Sequence, residues 1–168
     1  MSFIAGDYTV TYNDVDIGVV EDGFELEFTQ AYEDVRGDNL GDTLQDGIFR
    51  GYNATISAIL LEANNAALRQ AVWPFYTTAG NLTDWGVIGT LGVLATSKAK
   101  ALVLTKIAGN PAADADCPKT LTASKAILAR DFPVRLLFAN RLRRIPIRFQ
   151  LFAYQTDSVN RLFQITIA

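Results

Sequence analysis

The chain contains no histidine and a single cysteine, Cys117. Those two shortages remove serine triads, cysteine–histidine pairs and histidine metal sites from consideration. One cysteine also cannot form a disulfide within the chain. Cys117 lies in NPAADADCP, a run of turn-formers, and reads as an incidental loop thiol. No apolar run approaches the ~18 residues a membrane span needs, and the longest clusters, such as Ala58 to Leu61, are strand-sized. Basic residues are scarce in the first half: residues 1–84 carry 3 Lys/Arg against 14 Asp/Glu, a balance of −11. Residues 85–168 reverse this, with 12 against 4 and a balance of +8. The opening MSFIAGDY has neither the basic region nor the apolar core of a secretory signal. A soluble chain made in the cytosol, without membrane insertion, is expected.

What is present in quantity is apolar side chain, 49% of 168 residues, with slightly positive mean hydropathy. That length suits one domain, residues 1–168, with a sizeable core. The surplus is assigned to an interface between subunits. The lopsided charge has two readings. Either the halves interleave and their charges mix on one surface, or acidic and basic faces attract copies head to tail. Contacts of the second kind build rings or open filaments.

Period-two alternation dominates the chain. Tyr8, Val10 and Tyr12 alternate with threonines, Asn13-Asp14 marks a turn, and Val15, Ile17 and Val19 resume, which predicts a hairpin. In GFELEFTQ, Phe24, Leu26 and Phe28 are predicted to face the core, with Glu25, Glu27 and Thr29 on the other side. IFRGYNATISAILLE predicts an extended strand, KALVLTKI and TLTASKAILA two more, and RRIPIRFQLFAYQT and RLFQITIA the last. Pro146 suits an edge position or a strand start. NNAALRQAVWP predicts the one helix, with Asn64 or Asn65 as cap and Pro74 ending it. Residues 77–97 show no clear pattern. Seven or eight strands and one helix describe a mostly β fold, a sandwich or barrel with a flanking α-helix.

The densest polar stretch is YEDVRGDNLGDTLQDGIFRG, residues 32–51, with Glu33, Asp34, Arg36, Asp38, Asp42 and Asp46 in a long expected loop. Asp42, Asp46 and Gly47 fall on calcium-loop positions, but Leu44 stands at position three and Asn53, rather than a bidentate glutamate, at position twelve. Arg36-Gly37-Asp38 spells an integrin tripeptide on a chain with no extracellular address. Gly86, Gly89 and Gly92 lack the lysine of a phosphate loop. Paired loop carboxylates could be nominated for hydrolysis, yet turns gather aspartates for backbone reasons. Arg141, Arg143, Arg144 and Arg148 form a basic cluster with too few stacking aromatics nearby for a nucleic-acid platform. No enzyme, metal or cofactor is expected.

Taken in order, the hairpin YTVTYNDVDIGVV, the strand GFELEFTQ, the stretch 32–51 feeding GYNATISAILLE, a short helix and the closing PIRFQLFAY…NRLFQITIA resemble the major tail tube proteins of long-tailed bacteriophages. The resemblance covers most of the chain except residues 77–118. It implies a β-sandwich shared with contractile-tail and type VI secretion tubes, assembled in hexameric rings that stack into a tube for DNA passage. The location implied is the virion tail, assembled in the host cytoplasm. The partners implied are further copies, a tape-measure protein and other tail proteins, with DNA only in transit. Residues 32–51 then become an inter-subunit loop, and Arg141, Arg143, Arg144 and Arg148 a candidate basic interface. Glu25 and Glu27 become candidate lumen residues, since a basic lumen would retard DNA. Rivals are a tail-terminator, distal-tail or head-completion protein, a type VI tube protein, and a polysaccharide-binding sandwich, for which no row of exposed aromatics is evident.

Overall fold

The computed structural model describes residues 8–36, 44–61, 71–75, 91–107, 118–135 and 144–167. The described residues are mostly strand: β1 (Tyr8–Tyr12), β2 (Val15–Arg36), β3 (Leu44–Leu61), β4 (Lys100–Lys106), β5 (Thr120–Leu128), β6 (Arg144–Leu151), β7 (Tyr154–Thr156), β8 (Val159–Arg161) and β9 (Gln164–Thr166). One short helix, α1 (Ala95–Lys98), precedes β4. It falls in the stretch that showed no pattern, because four residues are too few to display a helical period.

All pairings among the described residues are antiparallel. Neighbours run β4-β1-β2-β3-β6-β5, and β4 pairs again with β5, so the hydrogen-bonded circuit closes on itself. Closure removes the free edges that an open sheet would expose. β9 adds to β5 over Thr120–Thr122, while β7 and β8 form a separate hairpin.

Alternation decides which side chains enter this circuit. Tyr8, Val10 and Tyr12 of β1, Leu102 and Leu104 of β4, and Ile145, Ile147, Phe149 and Leu151 of β6 are all buried. Tyr12 stacks on Phe149 with centroids 5.4 Å apart, and Tyr8 meets Phe24 edge-on at 4.9 Å. Both phenols keep their hydroxyls satisfied, as burial requires: Tyr8 donates to the Pro118 carbonyl at 2.9 Å and Tyr12 to the Ala126 carbonyl at 3.1 Å.

The expected hairpin turn is present. Asn13 and Asp14 have φ of 54° and 62°, the paired positive values that match the twist of two-residue hairpins. At Pro146 the strand β6 pairs only with β3, opposite Ile59, because β5 reaches β6 only from Phe149 onward. The missing N–H therefore costs no ladder bond on the other side. Most of the predicted helix NNAALRQAVWP lies outside the described residues. Its last turn is there, with Ala71 and Val72 helical, Ala71 buried and Val72 packed on the core.

Burial raises the Tyr12 phenol from 10.0 to about 12, opposed by a backbone hydrogen bond from Lys100. The neutral phenol is thus favoured in the folded chain. Its contribution is complete below pH 10 and is lost as pH rises from 10 towards 12, amounting to about 3 kcal/mol. Urea unfolding of the native chain and of Tyr12→Phe checks this. The stability advantage of the native chain at pH 9 is expected to shrink by pH 11.5; an unchanged difference would contradict the assignment.

Candidate functional site, an aromatic arm

Strands β2 and β3 are longer than the body that holds them. β1 covers β2 only as far as Val20, and β6 covers β3 only from Ala54 onward. Beyond those limits, among the described residues, the two strands pair only with each other, from Thr29↔Asn53 to Arg36↔Leu44. The result is a two-stranded arm whose ladder runs about 25 Å at ~3.3 Å per residue. The expected long loop is corrected accordingly. Residues 32–36 and 44–51 are strand, and only 37–43, which lie outside the described residues, separate them. Alternating side chains explain the strand: Tyr32, Val35, Leu44, Ile48, Phe49 and Tyr52 supply β-favouring residues between the acids.

Three irregularities punctuate the ladder. Register shifts between Val35 and Arg36, between Glu21 and Phe24, and between Ala31 and Tyr32, where Arg50 is the extra residue on β3. Gly23 and Gly51 beside the last two have φ of 85° and 134°, values that side-chain-bearing residues rarely adopt. Such bulges bend a ribbon and increase its twist.

One face of the arm continues the face that forms the core. Phe24 and Leu26, opposite Ala58 and Ile56, pack against the core. Phe28 comes next on that face and is 57% exposed, which corrects its expected place in the core. Tyr52, Phe49 and Tyr32 follow, each about half exposed. Their rings form a chain of edge-to-face contacts: Phe28–Tyr52 at 6.3 Å, Tyr52–Phe49 at 5.0 Å and Phe49–Tyr32 at 5.7 Å. Leu44 extends the face, and Ile48 is exposed opposite Glu33 on the reverse side. A row of exposed aromatics therefore exists after all. Sequence inspection missed it because alternate residues of two strands interleave to make it.

The charged candidates are distributed differently from expectation. Glu33 pairs with Arg50 across the arm, and Asp34 with Arg36 at 3.3 Å. Asp46 accepts from the backbone N–H of Gly47 at 2.7 Å. Arg144 pairs with Glu21 at 2.6 Å. Arg148 pairs with Glu27 and also donates to the Thr55 hydroxyl at 3.2 Å, tying β6, β3 and β2 together. The two arginines assigned to a basic inter-subunit surface are thus engaged within the chain, and the acidic and basic halves mix as the first charge reading allowed. Glu25 stays exposed on β2. Asp38, Asp42, Arg141 and Arg143 lie outside the described residues. No cluster of metal-ligating side chains exists among the described residues, and none of their helices is long and apolar enough to cross a membrane.

No protein-family model matches this chain, and no curated protein is similar to it at a significant level.

The exposed rings contribute little to the stability of the body. Tyr32→Ser removes one edge-to-face pair, with Phe49, worth about 0.5–1.5 kcal/mol, whereas Phe149→Ala in the core is expected to cost about 3–5 kcal/mol. Urea unfolding should separate the two by midpoint, with binding of an apolar dye falling only in the arm variant. Equal losses would mean that the arm is part of the folded core.

Proposed function

We propose that this chain is a structural subunit of a phage tail tube, polymerising as stacked, hexameric rings around a channel for DNA. One observation carries the reading: a core-type aromatic face runs past the body and is left uncovered. Fully burying one such side chain is worth about 1.5–3 kcal/mol, so several half-exposed in a row give a strong incentive to associate. A monomer seldom maintains a patch of this kind without a partner. The outer edges of the arm carry unpaired backbone donors and acceptors as well, which strand-to-strand association between copies would satisfy. Under this reading the closed six-strand circuit is the barrel-like body of the subunit. The β2–β3 arm is the element that reaches a neighbour, and Glu25 with its exposed carboxylate is a candidate for the lumen. Glu27 is a weaker one, because Arg148 neutralises it.

A polysaccharide-binding role is less well supported. Sugar platforms present ring faces to the ligand, whereas these four rings turn edges onto faces of one another at interplanar angles of 62–74°.

Electron micrographs of the purified chain across a concentration series test the reading. Long tubes of uniform width are expected, and Tyr32→Ser with Phe49→Ser should abolish them while leaving circular dichroism unchanged. Single rings that never stack would favour a tail-terminator or completion protein. A monomer at every concentration would contradict assembly altogether.

A further inference from the structure

A second apolar region lies away from the arm's end. Phe75, Ala95, Leu128 and Phe152, together with Arg130 and Asp131, line an open groove of about 760 Å³. Leu94, which precedes α1, is 74% exposed beside it. The described residues therefore display two exposed apolar surfaces of opposite shape, a projecting ribbon and a concavity.

We propose that the groove receives the end of the β2–β3 arm of a second copy. This rests on the tube reading above and names the surface that the arm would engage. The end of the arm carries exposed apolar side chains on both faces, Tyr32, Phe49 and Leu44 on one and Ile48 on the other. A flat surface would cover only one face, whereas a groove offers walls to both. The arm cannot serve its own groove. Asn53, at the base of the arm, already lines that groove, and the β2–β3 ladder carries Arg36 and Leu44 about 25 Å away from it along the ribbon. Insertion into lipid is disfavoured, because Glu33, Asp34, Arg36, Asp46 and Arg50 would be desolvated with the rings.

Charge adds a pairing. Among the described residues Asp46 has no cationic partner and Arg130 no anionic one, so the docked arm can bring the two together. One contact of this kind covers both surfaces at once. It is heterologous, joining different patches of two identical chains, and such contacts propagate into rings or filaments.

Site-directed crosslinking in a Cys117→Ser background is the test. Tyr32→Cys and Ala95→Cys proteins are mixed under assembly conditions and oxidised, with Ser158→Cys on the β7–β8 turn replacing Ala95→Cys as the control. The expected result is an arm-to-groove disulfide dimer well above the control yield. Tubes that form without that excess would overturn the groove while leaving the tube reading intact. Absence of any assembly would overturn both. A charge exchange tests the same contact without cysteine: Arg130→Glu should raise the critical concentration about two- to fivefold, and adding Asp46→Arg should restore it. No restoration would count against the pairing.

Discussion

The antiparallel ladder between β2 and β3 is the constraint on which the rest of this structure depends. It runs from Val19↔Leu61 to Arg36↔Leu44 with only three register shifts. Strand side chains alternate, and the extra residue Arg50 returns Phe49 to the face of Tyr52, so the face that buries Ile56 and Leu60 reappears further along as the face bearing Phe28, Tyr52, Phe49 and Tyr32. The body covers the first stretch and leaves the second open. The same pairing thus places part of the closed circuit and projects the surface that needs a neighbour.

Charged pairs keep that ribbon soluble, Glu33 on its reverse side and Asp34 and Arg36 on the aromatic face itself. Glu33 with Arg50 and Asp34 with Arg36 are exposed pairs, each worth at most about 1 kcal/mol. They restrict register and solubility more than they stabilise the fold. Arg148 is different, since it is largely covered and holds Glu27 and the Thr55 hydroxyl from a third strand. Charge neutralisation inside the chain moves the weight of the proposed assembly from ion pairs onto apolar burial.

Much of the fold was legible in the sequence. Alternation located β1, β2, β4, β5 and β6, Asn13-Asp14 located the first turn, and Pro146 lies in the first part of β6, where that strand pairs with β3 alone among the described residues. The arm was less legible. Five acids and four glycines between residues 32 and 51 read as a loop, because turn chemistry and strand propensity coexist there and pairing with β2 decides between them. Phe28 was assigned to the core for a related reason. Alternation says which face a residue occupies, but not where along the strand the covering elements stop. The cis ion pairs of Arg144 and Arg148 were equally hidden, since they link residues more than a hundred positions apart and depend on strand order.

Hydrogen exchange along the arm, read in the dispersed and in the assembled protein, tests the central claim most directly. Outward-facing amides of residues 29–36 and 44–53 lie on uncovered strand edges in the single chain and should exchange quickly there. Amides of β1 and β4, inside the closed circuit, should be slow in both states. If the arm is the element that neighbours cover, its exchange is expected to slow by at least tenfold on assembly while the body changes little. Assembly that leaves the arm as fast as in the dispersed chain would contradict the account.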